Sequence, residues 1–177
     1  LLAESGNGFW ADLLEKEAFN CLPATTTADM WAHQYVQMTN QISARKFPED
    51  SVPFNSNSGE ANMFGLEPNF GCCTANFNQA WPKFALSAIM EGEEGITVNL
   101  LVPCTAHVEW GGKKLQVHII SEYPFRDEAM LEITADGPVD CAVAIRIPGT
   151  AEKAWVGDAE ATPGSCFLAG ESWEGTV

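Results

Sequence analysis

Two adjacent thiols, Cys72 and Cys73, are the residues of this sequence whose types and spacing speak most directly of chemistry. The thiolate, not the thiol, is both the nucleophile and the soft-metal ligand, so either role calls for surroundings that favour the anion. The pair follows a loop and precedes a helical pattern, where unsatisfied backbone amides and the positive end of the helix dipole stabilise negative charge. Neighbouring cysteines can both bind one zinc ion. Two ligands are not a site, because structural zinc takes four and catalytic zinc about three plus an open position. No second Cys-x-x-Cys, His-x-x-x-His or Glu-x-Cys occurs, so any metal centre needs donors from elsewhere. On residue types alone, two buried small hydrophobes are the plainer reading.

A second cluster, His33, Gln34 and Tyr35, is polar and aromatic in the manner of side chains that line sugar sites; a hydrogen-bonded interior histidine is the plainer reading. Glu60 and Glu67 are the carboxylates nearest the pair in sequence. Cys21, on an apolar helix end, is expected in the core. Cys104, Cys141 and Cys166 are expected to be structural, with Cys141 sharing an inward face with Val143, Ile145 and Ile147. His107 and His118 read as strand-surface residues.

The elements that must position these groups divide at about Gly95. Apolar residues at 9, 10, 13, 14 and 18 have helical spacing, with Asn7 as N-cap and Leu22-Pro23 as the stop. A second helix is expected over Met30–Ser43, with Trp31, Tyr35, Met38 and Ile42 on one stripe. From Phe47 to Gly71 no period is sustained, and this long loop delivers the cysteine pair. A third helix is expected over Ala75–Met90, with Thr74 or Cys73 as its cap and Pro82 kinking it or marking a late start. Beyond Gly95 the period becomes two. Ile96–Val102 reads as a buried strand, Val108–Ile119 as a hairpin around Gly111-Gly112, and Leu131–Ala135 and Cys141–Ile147 as further strands. Strands separated by turns rather than helices predict an antiparallel sandwich. The fold class is therefore α+β, with a helical part over 1–94 and a β part over 95–177.

Composition narrows the partners. Among 177 residues the net charge is -15, which repels phosphate-rich surfaces, so neither nucleic acid nor an anionic membrane is an expected partner. No apolar run approaches the ~18 residues of a membrane span, and no signal peptide is visible. The six cysteines are irregularly spaced, and reduced thiols in a cytoplasmic setting are expected. With no initiator Met and an ending in mid-pattern, the chain reads as an internal fragment. Oligomeric state is not legible.

The run Phe64-Gly65-Leu66-Glu67-Pro68-Asn69-Phe70-Gly71-Cys72-Cys73-Thr74-Ala75-Asn76-Phe77, continuing into Trp81-Pro82-Lys83-Phe84, resembles the cysteine-pair segment of glycoside hydrolase family 127, the β-L-arabinofuranosidase type. The stretches Trp10–Glu15, Trp31–Tyr35, Tyr123-Pro124-Phe125 and Arg146–Gly149 resemble family landmarks in family order. The resemblance implies the last helices of an (α/α)6 catalytic barrel followed by a truncated β-sandwich. It also implies a retaining glycoside hydrolase acting on L-arabinofuranose-containing glycosides. Carried over, Cys72 is nucleophile and zinc ligand and Cys73 a zinc ligand, with substrate contacts expected at His33, Gln34 and Tyr35. The family's Glu-x-Cys ligands and acid/base glutamate would precede Leu1, so the isolated fragment is expected to be inactive. A non-catalytic carbohydrate-binding or spacer module is the alternative. A thiol redox protein is a third reading, disfavoured because adjacent cysteines form a strained disulfide.

Overall fold

The β part is built around one long strand. In the computed structural model, which describes residues 1–48, 58–66 and 70–177, strands β1 (Ile89–Glu91), β2 (Gly95–Val98), β3 (Cys104–Trp110), β4 (Lys113–Ser121), β5 (Ala129–Arg146) and β8 (Cys166–Thr176) form a six-stranded sheet. The order is β1-β2-β5-β4-β3, with β8 also pairing with β5; β6 (Ala154–Val156) and β7 (Ala159–Ala161) form a separate two-stranded ribbon. The ladders are antiparallel except β2 with β5, which is parallel. The two strands expected at 131–135 and 141–147 are halves of β5. Asp136, Gly137 and Pro138 make no reversal; they are absorbed in a register shift against β8, with Gly137 at φ 88°. The expected pair of facing antiparallel sheets is thus, among the described residues, one mostly antiparallel sheet whose central strand changes partners along its length.

Alternation decides which side chains are inside. In β4, Leu115, Val117 and Ile119 are buried, and in β5, Ile133, Ala135, Val139, Cys141, Val143 and Ile145. Each fully buried Val, Leu or Ile contributes about 1.5–3 kcal/mol from apolar area removed from water. Trp173 joins this core and donates its indole N–H to the Cys141 carbonyl, 2.8 Å. The expected hairpin is present, and Gly111 and Gly112, at φ 59° and 76°, supply the left-handed conformation of its two-residue turn. Gly95 answers a different demand: a Cβ there would stand 2.0 Å from the Ala142 carbonyl oxygen, so only glycine lets β2 begin its parallel pairing.

Two compact units emerge, one of Leu1–Leu14 with Ala85–Val177 and one of Glu15–Phe84. In the first, Arg146 is fully buried; its Nε donates to the Asn99 carbonyl and its guanidinium pairs with Asp12. Asp12 also accepts the Gly149 N–H at 3.0 Å. One carboxylate thereby ties helix α2 (Gly8–Lys16), which follows the single turn α1 (Leu2–Ser5), to the end of β5 and the Pro148-Gly149 turn.

Helix α2 runs into a π-helical turn, Glu17–Cys21, and a short α3, Leu22–Ala24, after which the path ends. Pro23 falls within this continuous path, which ends at Ala24, one residue past the expected stop. The expected core position of Cys21 is not observed: the π turn leaves it exposed. No helix forms over Met30–Ser43. Met30 has φ 60°, and the amides of His33, Gln34 and Val36 donate to the carbonyls of Gly65, Thr25 and Ala61 rather than to their own preceding turns. Trp31 and Ile42 of the expected stripe are exposed, and His33 is bridged on both sides, to Thr26 and to Gly65. The third helix is broken into α4 (Gly71–Phe77) and α5 (Ala80–Leu86), so Pro82 marks a late start rather than a kink. Ile89 and Met90 have left the helix for β1. No described helix is long and apolar enough to cross a membrane. Further helices of a barrel are not seen among the described residues.

Candidate functional site

Helix α4 begins at Gly71, two to three residues before its expected cap, with Phe70 as N-cap and no side-chain cap. Its first turn closes through the Phe70 carbonyl, which accepts from the amides of Cys73 at 2.9 Å and Thr74 at 3.2 Å. Cys72 and Cys73 therefore lie inside the first turn. Cys72 is exposed and Cys73 half-buried, and their sulfurs are 3.6 Å apart. Two thiolates on a tetrahedral zinc with bonds of ~2.3 Å stand about 3.8 Å apart, so the pair fits one edge of such a site. Among the described residues no group of three His, Cys, Asp or Glu side chains completes it.

The electrostatics of Cys73 run against the expectation of a stabilised thiolate. Its thiol is held above the ordinary value, first by loss of solvent, then by its hydrogen bond and like-charge neighbourhood with Cys72. A seven-residue helix with an uncapped start does not overcome these effects. A cation bound at the sulfurs would invert them, since a coordinating thiol loses its proton outright.

Of the three predicted contacts, His33 and Tyr35 come to the same helix. His33 is buried; its Nε2 shares a hydrogen bond with Thr74 Oγ1 at 3.0 Å, and its ring stacks on Phe77, 5.8 Å between centroids and 9° between planes. Tyr35 stacks on Phe70 at 3.9 Å and 7°. Gln34 is buried and turns away, donating to the Asn62 carbonyl at 2.8 Å. Thr74 stands in the sequence as a cap candidate and Phe70 and Phe77 in the cysteine-pair run, but the contacts of these three with His33 and Tyr35, and that of Asn62 with Gln34, escaped sequence reasoning, although the i, i+3 spacing of Thr74 and Phe77 marks a helix face. Glu60 pairs with Lys46 at 2.5 Å. Glu67 lies outside the described residues. In the other unit, Cys141 is buried as expected, Cys104 is half-buried, and Cys166 and His107 are exposed. All six cysteines are free thiols.

No protein-family profile matches the sequence, and no curated protein does. Solved structures do match in fold. A GH127 β-L-arabinofuranosidase from Geobacillus stearothermophilus T6 aligns over 99% of this chain and 28% of its own, with a TM-score of 0.68 and 15% identity. A second solved structure, described as a glycoside hydrolase, aligns over 99% and 29%, with a TM-score of 0.69 and 18% identity. A GH127 β-arabinofuranosidase aligns over 97% and 28%, with a TM-score of 0.63 and 16% identity. The class that fold and geometry define is thus a helix-plus-sheet portion of the kind found in these glycoside hydrolases. The chain spans under a third of their length, and what it shares with them is the fold.

Proposed function

We propose that this chain belongs to a retaining glycoside hydrolase of the β-L-arabinofuranosidase type and that Cys72 is its nucleophile. The observation that carries the reading is an exposed Cys72 in the first turn of α4, 3.6 Å from a second thiol, within a fold shared by enzymes of that activity. Cys72 Sγ attacks the anomeric carbon as the glycosidic C–O bond breaks. The departing oxygen takes a proton from a carboxylic acid that the family resemblance puts outside these residues. Water, giving a proton back to that carboxylate, then displaces sulfur from the same carbon with a second inversion, giving net retention and returning the thiolate. A thiolate here replaces the more usual carboxylate nucleophile. Cys72 and Cys73 would hold zinc together with donors from elsewhere in the protein. A zinc ion held there would supply the charge that keeps the sulfur ionised and would ease its departure. This chain's own part is to present Cys72 outward and keep Cys73 beside it.

In the full-length protein, Cys72→Ala should lower kcat on an arabinofuranoside by at least ~10³-fold, as loss of a covalent nucleophile does. Undiminished turnover would sink the assignment. A non-catalytic carbohydrate-binding role is the second reading, favoured by a cleft of about 490 Å³ on the sheet, lined by His107, Glu109, Lys114, Gln116, Thr134 and Asp136. Sugar retention that survives Cys72→Ala and Cys73→Ala, without turnover in the unaltered protein, would select it.

A further inference from the structure

The face of α4 that carries Cys72 is set from its opposite side. At about 100° per residue, Thr74 and Phe77 lie about 60° apart around the helix, Cys72 about 170° from their midpoint and Cys73 about 70° from it. The exposures follow this order, with Cys72 exposed and Cys73 half-buried. The Thr74–Phe77 face is held by His33, through a hydrogen bond to the hydroxyl and a stack on the ring. His33 is itself fixed at the backbone, donating to the Gly65 carbonyl at 3.0 Å and accepting from the Gly65 amide at 3.2 Å. A seven-residue helix without a side-chain cap has little else of its own to set its rotation.

We propose that His33 is a positioning residue: by latching Thr74 and Phe77 it fixes the rotation of α4, so that Cys72 faces outward and Cys73 stays turned in. This deepens the reading of Cys72 as nucleophile, because a nucleophile and its partner thiol need fixed directions, but its test requires neither sugar nor metal.

The test is the ratio of iodoacetamide labelling rates at Cys72 and Cys73 in the full-length protein, treated with a chelator and resolved by peptide mass spectrometry. The unaltered chain should label Cys72 faster. Thr74→Val, which removes only the hydroxyl, should shrink the ratio about two- to tenfold, the range one net hydrogen bond supplies. Thr74→Ser should retain it. His33→Ala should shrink it at least as far, and adding Thr74→Val to His33→Ala should change nothing more, as coupled partners behave. If His33→Ala does not fold, the Thr74 pair alone decides. A ratio unchanged by Thr74→Val, equally lost in Thr74→Ser, or reduced additively in the double variant overturns the latch. The ratio stands if Cys72 proves not to be the nucleophile, so the two claims fail separately.

Discussion

At the scale of single residues, six thiols of one type have six environments. Cys141 is a small core hydrophobe whose thiol is pushed up chiefly by burial, as is that of half-buried Cys104. Cys21 is exposed, yet its thiol is also raised, first by its hydrogen bond to the Glu17 carboxylate, then by partial desolvation and by that carboxylate's charge. Ionising a thiol beside a carboxylate is unfavourable, so the rate of alkylation at Cys21 should rise only at higher pH than for an ordinary thiol. Glu17→Gln should move that midpoint down, measured from the pH dependence of site-resolved labelling; a midpoint that stays or climbs contradicts the cause given. The prominence of Cys72 and Cys73 was legible in the sequence because adjacency is visible there. The inversion at Cys73 was not, because it depends on how much water reaches each sulfur.

At the scale of elements, periodicity was informative where one face of a segment meets one kind of neighbour. The hairpin about Gly111-Gly112 and the alternation of Leu115, Val117 and Ile119 follow from sequence, since turn residues and a half-buried sheet leave a period of two. The segment 30–43 misled because Trp31, Tyr35, Met38 and Ile42 do recur at helical spacing, while its amides are taken by Thr25, Ala61 and Gly65, partners distant in sequence. The same long-range pairing brought His33 to Thr74, 41 positions on, a contact no local pattern could announce. Arg146 and Asp12, 134 positions apart, are the parallel case in the other unit. Removing one partner of a buried pair costs about 3–5 kcal/mol, and because Asp12 is 26% exposed the loss from Asp12→Ala should fall at the lower end. Chemical denaturation of the chain measures it, and a change under ~1 kcal/mol would show that the pair does not anchor α2.

At the scale of the whole molecule, 99% of the chain finds a counterpart in solved glycoside hydrolases at 15–18% identity, which is why the fold agrees while no family profile responds. The switch from helical period to strand period gave the α+β class. The continuity of β5, the parallel β2–β5 ladder and the gathering of six strands into one sheet did not follow, since each depends on which strands meet. The charge of -15 is compatible with a neutral sugar and unfavourable to polyanions. The account rests on one atom, the sulfur of Cys72. Treating the full-length protein with an arabinofuranose-mimicking electrophile and sequencing its peptides by mass spectrometry is the most direct examination of that sulfur. The account predicts a single covalent adduct on Cys72, absent in Cys72→Ser; an adduct on a carboxylate, or on Cys73 alone, would contradict it.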